Sequence, residues 1–318
     1  MKKKLFIAVS CLLTALVVLL FTGLFTFKIT GDISIPYPIY DVATQFTDLR
    51  NWTNWHPGLR GRHPRDLLFS GDPEKVNSSV ETTEGTRFTL TAVNSAGIVF
   101  KETTQGKTTY RSLIAYSDSM GRTSRVTGIR YAGAWEWLKE KMHPRNKISA
   151  ELLGLKQFME DPLAYYGFPI GIIPVTDTLI LTRQAIVPAG EINRQFRQSD
   201  SDLVAYTEVN KLTGKPYRYV SRKDAGHGMI SIAVGIPVNK RAPEAKGMEF
   251  LEMPAQGRLL AGRTSGGSAR IKALFASMEK YMKDKGLKRV ADPLEKYEYL
   301  PGQNLDSAHS VEVQIPIY

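Results

Sequence analysis

At 318 residues, with 42% hydrophobic and 23% charged residues, the chain is long enough for about two domains and apolar enough to fold through most of its length. The formal net charge is +11, but Lys2, Lys3, Lys4 and Lys28 flank one apolar run, and without them the balance is +7, with no Lys/Arg block of the kind that tracks a phosphate backbone. Nucleic-acid binding is therefore not expected, and the single cysteine, Cys11, excludes disulfides within the chain and thiolate metal clusters.

Residues 1–29 read as a membrane anchor. Leu5 to Phe27 is a run of 23 residues without a charge. As a helix rising about 1.5 Å per residue it spans roughly 35 Å, enough for a hydrocarbon core of about 30 Å. Three lysines precede it, and lysine-rich flanks stay cytoplasmic. The expectation is a single-pass protein of the cytoplasmic membrane, in contact with the bilayer through Leu5–Phe27, whose remaining domains face the periplasmic or extracellular side. A cleaved signal peptide would have a shorter apolar core and a small-residue cleavage site, and neither is evident.

Residues 30–167 form the first candidate domain. Ile33 and Ile35 alternate with polar positions as in a short strand, which Pro36 and Pro38 end. Tyr40, Val42, Ala43 and Phe46 then follow helical spacing. Asp48, Asn51, Trp52, Trp55 and Pro57 follow as a compact turn. Four β-rich runs separated by glycine and polar turns come next. "WEWLKEKMHPRNK", 135–147, reads as an extra helix or loop, and its Trp135 and Trp137 as either ordinary surface aromatics or residues dipping into a membrane interface. A closing helix carries Ile148, Leu152, Leu155, Phe158 and Met159 on one face. The strand, proline, aromatic helix and D-x-x-N-W-x-x-W-x-P turn resemble the opening of the START-like superfamily, including its polyketide cyclase/dehydrase (SRPBCC) branch. The resemblance implies a helix-grip fold, an antiparallel sheet around a long C-terminal helix with a cavity between. Trp52 and Trp55 are the candidates to line that cavity; alternatively they lock the short helices against the sheet.

Residues 168–318 form the second. "SIAVGIPV" at 231–238 recurs as "SVEVQIPI" at 310–317, an offset of 79, and "DTLILTRQA" at 177–185 corresponds to "QGRLLAGRT" at 256–264. A helix candidate follows each copy, 190–210 and 268–285, with Phe196 falling on Phe275 at the same offset. The second helix has an apolar stripe through Ile271, Leu274, Phe275 and Met278, Ser268 to cap it and Gly286 to end it. Each half then has a strand, "PYRYVS" or "LEKYEYL", before its closing strand. The unit is β-α-β-β written twice. One such unit buries too little to stand alone, so the halves should share one sheet system. The pattern, with Tyr297-Glu298-Tyr299 and then Glu312 before Ile315-Pro316-Ile317, resembles the GyrI-like effector-binding domain found behind the DNA-binding helices of some bacterial regulators. That resemblance implies a pseudo-two-fold cleft for small lipophilic or cationic molecules, with a glutamate and aromatics of the second half contributing. No helix-turn-helix candidate precedes the domain here.

Strand side chains alternate between faces. Val311, Val313 and Ile315 take the core side, and Glu312 takes the other, where the first copy has Ala233. Glu312 is therefore the candidate counter-charge for a cation, the alternative being a solvated strand carboxylate. Glu298, Tyr297, Tyr299, Tyr219, as the nearest counterpart in the first repeat, and Phe275 complete the candidate ligand-binding set. Tyr297 and Tyr299 share one strand face and Glu298 takes the other, so all three cannot line the same wall.

The five histidines show no zinc-ligand spacing, and no nucleophile elbow, phosphate loop or dinucleotide fingerprint occurs. No nucleophile stands out with its base, so no cofactor, no metal and no catalytic residue is assigned. The expected whole is an α+β, membrane-anchored protein that binds or senses a small hydrophobic or cationic ligand, the alternative being a hydrolase or cyclase acting on a hydrophobic molecule.

Overall fold

A computed structural model describes residue 14, residues 26–298 apart from 119, 143–146 and 244, and residues 304–305 and 310–318. The chain divides into two compact units, Met1–Asp161 and Pro162–Tyr318. Each combines helices with one antiparallel sheet. Of the expected anchor, residues 1–29, only Thr14 and residues 26–29 are described. Among the described residues no helix is long and apolar enough to cross a membrane. The last two residues of the apolar run belong to a strand instead: Thr26 and Phe27 open β1 (Thr26–Ile35) and pair with Gly133 and Ala132.

In the first unit β1 is followed by α1 (Ile39–Thr47) and α2 (Trp52–Trp55). Six strands then run in sequence, β2 (Leu67–Ser70), β3 (Ser79–Thr82), β4 (Arg87–Asn94), β5 (Gly97–Thr104), β6 (Lys107–Ser117) and β7 (Ser124–Gly133). The sheet order is β1-β7-β6-β5-β4-β3-β2. The segment from Trp135 is a helix, α3 (Ala134–Met142), and α4 (Lys147–Glu160) closes the unit. Leu152, Leu155, Phe158 and Met159 of α4 are buried, and the helix packs on β1, β7 and α2. Gly154 permits that packing: a Cβ there would meet the Trp55 carbonyl oxygen at 2.5 Å, closer than any side chain allows.

The second unit opens with α5 (Pro162–Tyr166) and β8 (Ile170–Pro174). Then come β9 (Leu179–Pro188), α6 (Ile192–Val209), β10 (Tyr217–Gly226) and β11 (Met229–Pro237). After β12 (Met248–Glu252) the same order returns as β13 (Arg258–Ser265), α7 (Ser268–Lys285), β14 (Leu294–Glu298) and β15 (Ser310–Ile317). One eight-stranded sheet holds both halves, in the order β12-β9-β11-β10-β14-β15-β13-β8. The halves meet where β10 pairs with β14.

The registers refine the repeat. Ile180 pairs with Pro237 as Leu259 pairs with Pro316, so β9/β13 and β11/β15 keep the offset of 79. Tyr219 pairs with Gly235 as Leu294 pairs with Gln314, so β10 and β14 are offset by 75. The helices share that smaller offset, since buried Phe196 and Leu203 of α6 correspond to buried Ile271 and Met278 of α7. Four residues are lost before α7, where the first half has the extra 3₁₀ turn Ala189–Glu191, and are regained before β15. Phe275 is consequently not the counterpart of Phe196 and is only half-buried.

β8 and β12 extend the duplication in a way periodicity does not reveal. β12 pairs with β9, and β8 pairs with β13. Leu181 faces Phe250 as Leu260 faces Ile172, so the two edge strands are themselves equivalent, offset by 78. Each half thus supplies the outer strand of the other.

Candidate functional site

Pairing places every strand residue of the second unit on one of two faces. Val220, Val234, Val313 and Glu295 lie on the face covered by α6 and α7. The opposite face carries Thr182 and Gln184 of β9, Tyr219 and Ser221 of β10, and Ala233 and Gly235 of β11. These side chains are short apart from Gln184 and Tyr219, and a cavity of about 460 Å³ opens over them. β12, with Phe250 and Leu251, walls it on one side, and Val290 to Asp292 and Pro316 close the other.

Its apolar floor is a cluster of Ile180, Tyr219 and Leu294, with Tyr217 and Met253 packed against it. A buried carboxylate fixes the aromatic part of that floor. Asp177, just before β9, has a side chain only 2% exposed. It accepts hydrogen bonds from Tyr219 Oη at 2.7 Å and Tyr217 Oη at 2.8 Å and is ion-paired with Lys215. Burial pushes the Asp177 carboxyl up, but the bonds from Lys215, Tyr219 and Tyr217 outweigh it and hold the group below the ordinary carboxylate value. The Tyr219 phenol is pushed up, first by burial and then by its bond to Asp177. The rim is acidic: the lining includes Glu249, Glu252 and Asp292 and no lysine or arginine among the described residues. Glu252 is paired with Arg241 at 2.6 Å, and Asp292 with Lys223 at 3.8 Å.

The equivalent face of the second half is built differently. Gln184, Ser221, Ala233 and Gly235 correspond to Arg263, Lys296, Glu312 and Gln314. Glu312 accepts from Arg263 Nε at 2.5 Å and from Gln314 Nε2 at 2.6 Å. Burial raises the Glu312 carboxyl, and these two bonds outweigh it, so the group sits below its usual value. Arg263, Glu312 and Gln314, bonded to one another, and Lys296, whose Nζ lies 4.0 Å over the Tyr217 ring, stand where the first half has Gln184 and the small Ala233, Gly235 and Ser221.

The sequence-derived candidates divide accordingly. Tyr219 forms part of the cavity floor. Glu312 is on the same sheet face, as the alternation indicates, but it is bonded to Arg263 and is not among the cavity's lining residues. Glu298 lies on that face and is exposed. Tyr297 faces the helices, because it pairs with Arg218 on the covered face. There its hydroxyl donates to Glu295, which is buried and bonded to Arg222 at 2.6 Å. Phe275 is on α7, so the sheet separates it from the cavity. Tyr299 lies outside the described residues. Asp177 was missed, since an aspartate before a strand reads as an ordinary turn residue.

In the first unit, Trp52 and Trp55 are fully buried, and their indole N–H groups donate to the carbonyls of Phe46 and Gln45, both at 2.9 Å. They bind α1 to α2, and Trp52 packs edge-on against Phe100 at 4.8 Å. This is the locking role, and neither indole lines the first unit's cavity at His56 and Arg111.

No family model matches the chain, and no curated protein matches it. Solved structures do. EcmrR in a complex with DNA is 15% identical, over 58% of this chain and 77% of that one, with a TM-score of 0.41. The EcmrR C-terminal domain is 16% identical, over 48% of this chain and 98% of that one, with a TM-score of 0.36. CalU16 from Micromonospora echinospora is 12% identical, over 42% of this chain and 74% of that one, with a TM-score of 0.32.

Proposed function

We propose that this protein binds a small cation with an apolar body in the cavity of the first repeat. The observation that carries this reading is the composition of that cavity, an apolar aromatic floor under a rim with three carboxylates, two of them ion-paired with Arg241 and Lys223, and no lysine or arginine in the lining among the described residues. Such a site rewards burial of hydrocarbon surface, and it attracts positive charge through the carboxylates and the aromatic faces. The resemblance of the duplicated unit to GyrI-like effector-binding domains points the same way.

Tetraphenylphosphonium and its isosteric anion tetraphenylborate test the reading directly. Calorimetry should register the cation and not the anion, and Ala233→Phe, which fills the cavity, should weaken the cation at least tenfold. Equal binding of both ions would defeat it.

We further propose that residues 5–25, an uncharged run of 21 residues, anchor the protein in the cytoplasmic membrane with both units on its outer side. β1 starts directly after that run. Carbonate extraction of membranes, followed by protease treatment of intact spheroplasts, tests it. Release of the chain by carbonate, or its full protection from protease, would rule the arrangement out.

A further inference from the structure

The first unit buries a set of polar groups that packing alone does not account for. Arg111 of β6 and Glu151 of α4 have side chains only 4% and 5% exposed, and they are ion-paired. Arg111 also reaches Glu102 of β5 through Nη2, at 2.5 Å. Beside them His56, directly after α2, has a side chain 4% exposed. Its ring stacks on Trp52 at 5.0 Å and meets Phe88 edge-on at 4.8 Å.

The hydrogen bonds fix the state of that ring. His56 Nδ1 accepts from the Gly58 backbone N–H at 3.2 Å, so the ring proton is on Nε2. Burial, and then the charge of Arg111, lower the His56 pKa to about 3, so the ring is neutral at physiological pH. The Nε2–H is buried, stands 3.7 Å from Glu151 Oε1, and has no hydrogen-bond partner among the described residues. Arg111 Nε–H is likewise buried without one. Both residues line a cavity of about 270 Å³, closed by Phe88, Ala150 and Glu102. A buried donor left unpaired is costly, so two at one cavity ask for an acceptor.

We propose that this cavity is a second ligand site, for an uncharged small molecule that presents a carbonyl or hydroxyl oxygen to His56 Nε2–H and Arg111 Nε–H. The charge balance selects a neutral ligand. Arg62 and Arg111 offset Glu102 and Glu151 within the lining. An anion would stand beside two carboxylates, and a cation would stand beside Arg111 and leave both donors unanswered. The space exceeds the roughly 30 Å³ share of one water several-fold, enough for a small oxygen-bearing ligand.

The test uses the full chain labelled with ¹⁵N-histidine and ¹⁵N-tryptophan, with cyclohexanone as the probe and methylenecyclohexane as a control of the same shape without an acceptor. Cyclohexanone should shift the His56 Nε2–H resonance saturably and bind at least tenfold more tightly than the hydrocarbon. His56→Phe should abolish that preference while the Trp52 and Trp55 indole resonances stay in place. Ala150→Leu narrows the cavity without touching either donor and should weaken cyclohexanone at least tenfold. Equal affinity of the two probes for the wild type, or an unmoved His56 resonance up to the solubility limit of cyclohexanone, overturns the proposal. If His56→Phe disturbs the indole resonances, undiminished cyclohexanone binding by Ala150→Leu overturns it.

Discussion

The two halves of the second unit share one chain path, yet only the first carries the described cavity on its open sheet face. Their helix-covered faces are alike, with Ile232, Val234 and Ile236 in one half and Val311, Val313 and Ile315 in the other. The open faces diverge, Gln184, Ser221 and Ala233 against Arg263, Lys296 and Glu312. Burial against a helix holds the first set to a common size and polarity. The open face has no such constraint, so one half keeps room for a guest while the other is filled by its own ion pair.

The largest expected effect concerns Asp177. The second half has exposed Gln256 at that position, so nothing there ties down a tyrosine floor. Asp177→Ala leaves Lys215 and the hydroxyls of Tyr217 and Tyr219 without their shared acceptor. It should destabilise the second unit by about 3 kcal/mol in urea denaturation, the scale of a broken buried pair. The native bonds depress this carboxyl, so their contribution is present above the ordinary aspartate value and is lost as the pH falls through the lower folded one.

Next comes transfer of the filled face to the open one. The triple variant Gln184→Arg, Ser221→Lys, Ala233→Glu should weaken tetraphenylphosphonium about a hundredfold in calorimetry, close to 3 kcal/mol, through lost volume and added positive charge. Retained affinity would show that the difference between the faces is unrelated to binding.

A graded effect, smaller within any one pH unit, separates the two units by pH. His56 is buried neutral with a pKa near 3 against an ordinary 6.5, so the unfolded chain binds a proton that the folded first unit refuses. Below about pH 6.5 this lowers the stability of that unit by up to about 1.4 kcal/mol per pH unit, until the folded group titrates. Denaturation of wild type and His56→Phe across pH 4–7 should diverge with that slope and converge at neutral pH.

The smallest change is expected from Glu312→Gln. Arg263 is 72% exposed, and surface pairs of this kind contribute about 1 kcal/mol or less. The variant should lose less than that in urea denaturation and bind tetraphenylphosphonium as the wild type does. A tenfold loss would restore Glu312 as the counter-charge.

The duplication was legible because β11 and β15 repeat the same buried alternation. The span of α7 was legible, and Gly286 ends it in the left-handed conformation, with φ 65°, but its N-cap is Gly267, and Ser268, expected as the cap, is the first helical residue. The expectation that Tyr219 is the counterpart of the Tyr297–Tyr299 strand positions is corrected by the registers. A four-residue slip between strands that keep the 79 offset changes the partner to Leu294 and places Tyr297 opposite Arg218. The location of the cavity was hidden for a related reason. An acidic strand residue draws the eye as a site, whereas an alanine and a glycine mark a space only once the neighbouring strands are in register. β12 was missed altogether, since five residues with one exchanged partner leave no periodic trace.

That exchange has a consequence for the integrity of the unit. A chain cut between β11 and β12 yields two pieces, each with an unpaired outer strand seeking the edge that the other piece holds. The first piece alone carries β8, and its own β9 is the structural twin of β8's natural partner β13. Two copies of that piece can therefore embrace reciprocally, each lending β8 to the other, and rebuild an eight-stranded sheet as a strand-swapped homodimer. Such a dimer would have β8 in place of β12 and the small residues of the first repeat on both sides of its axis.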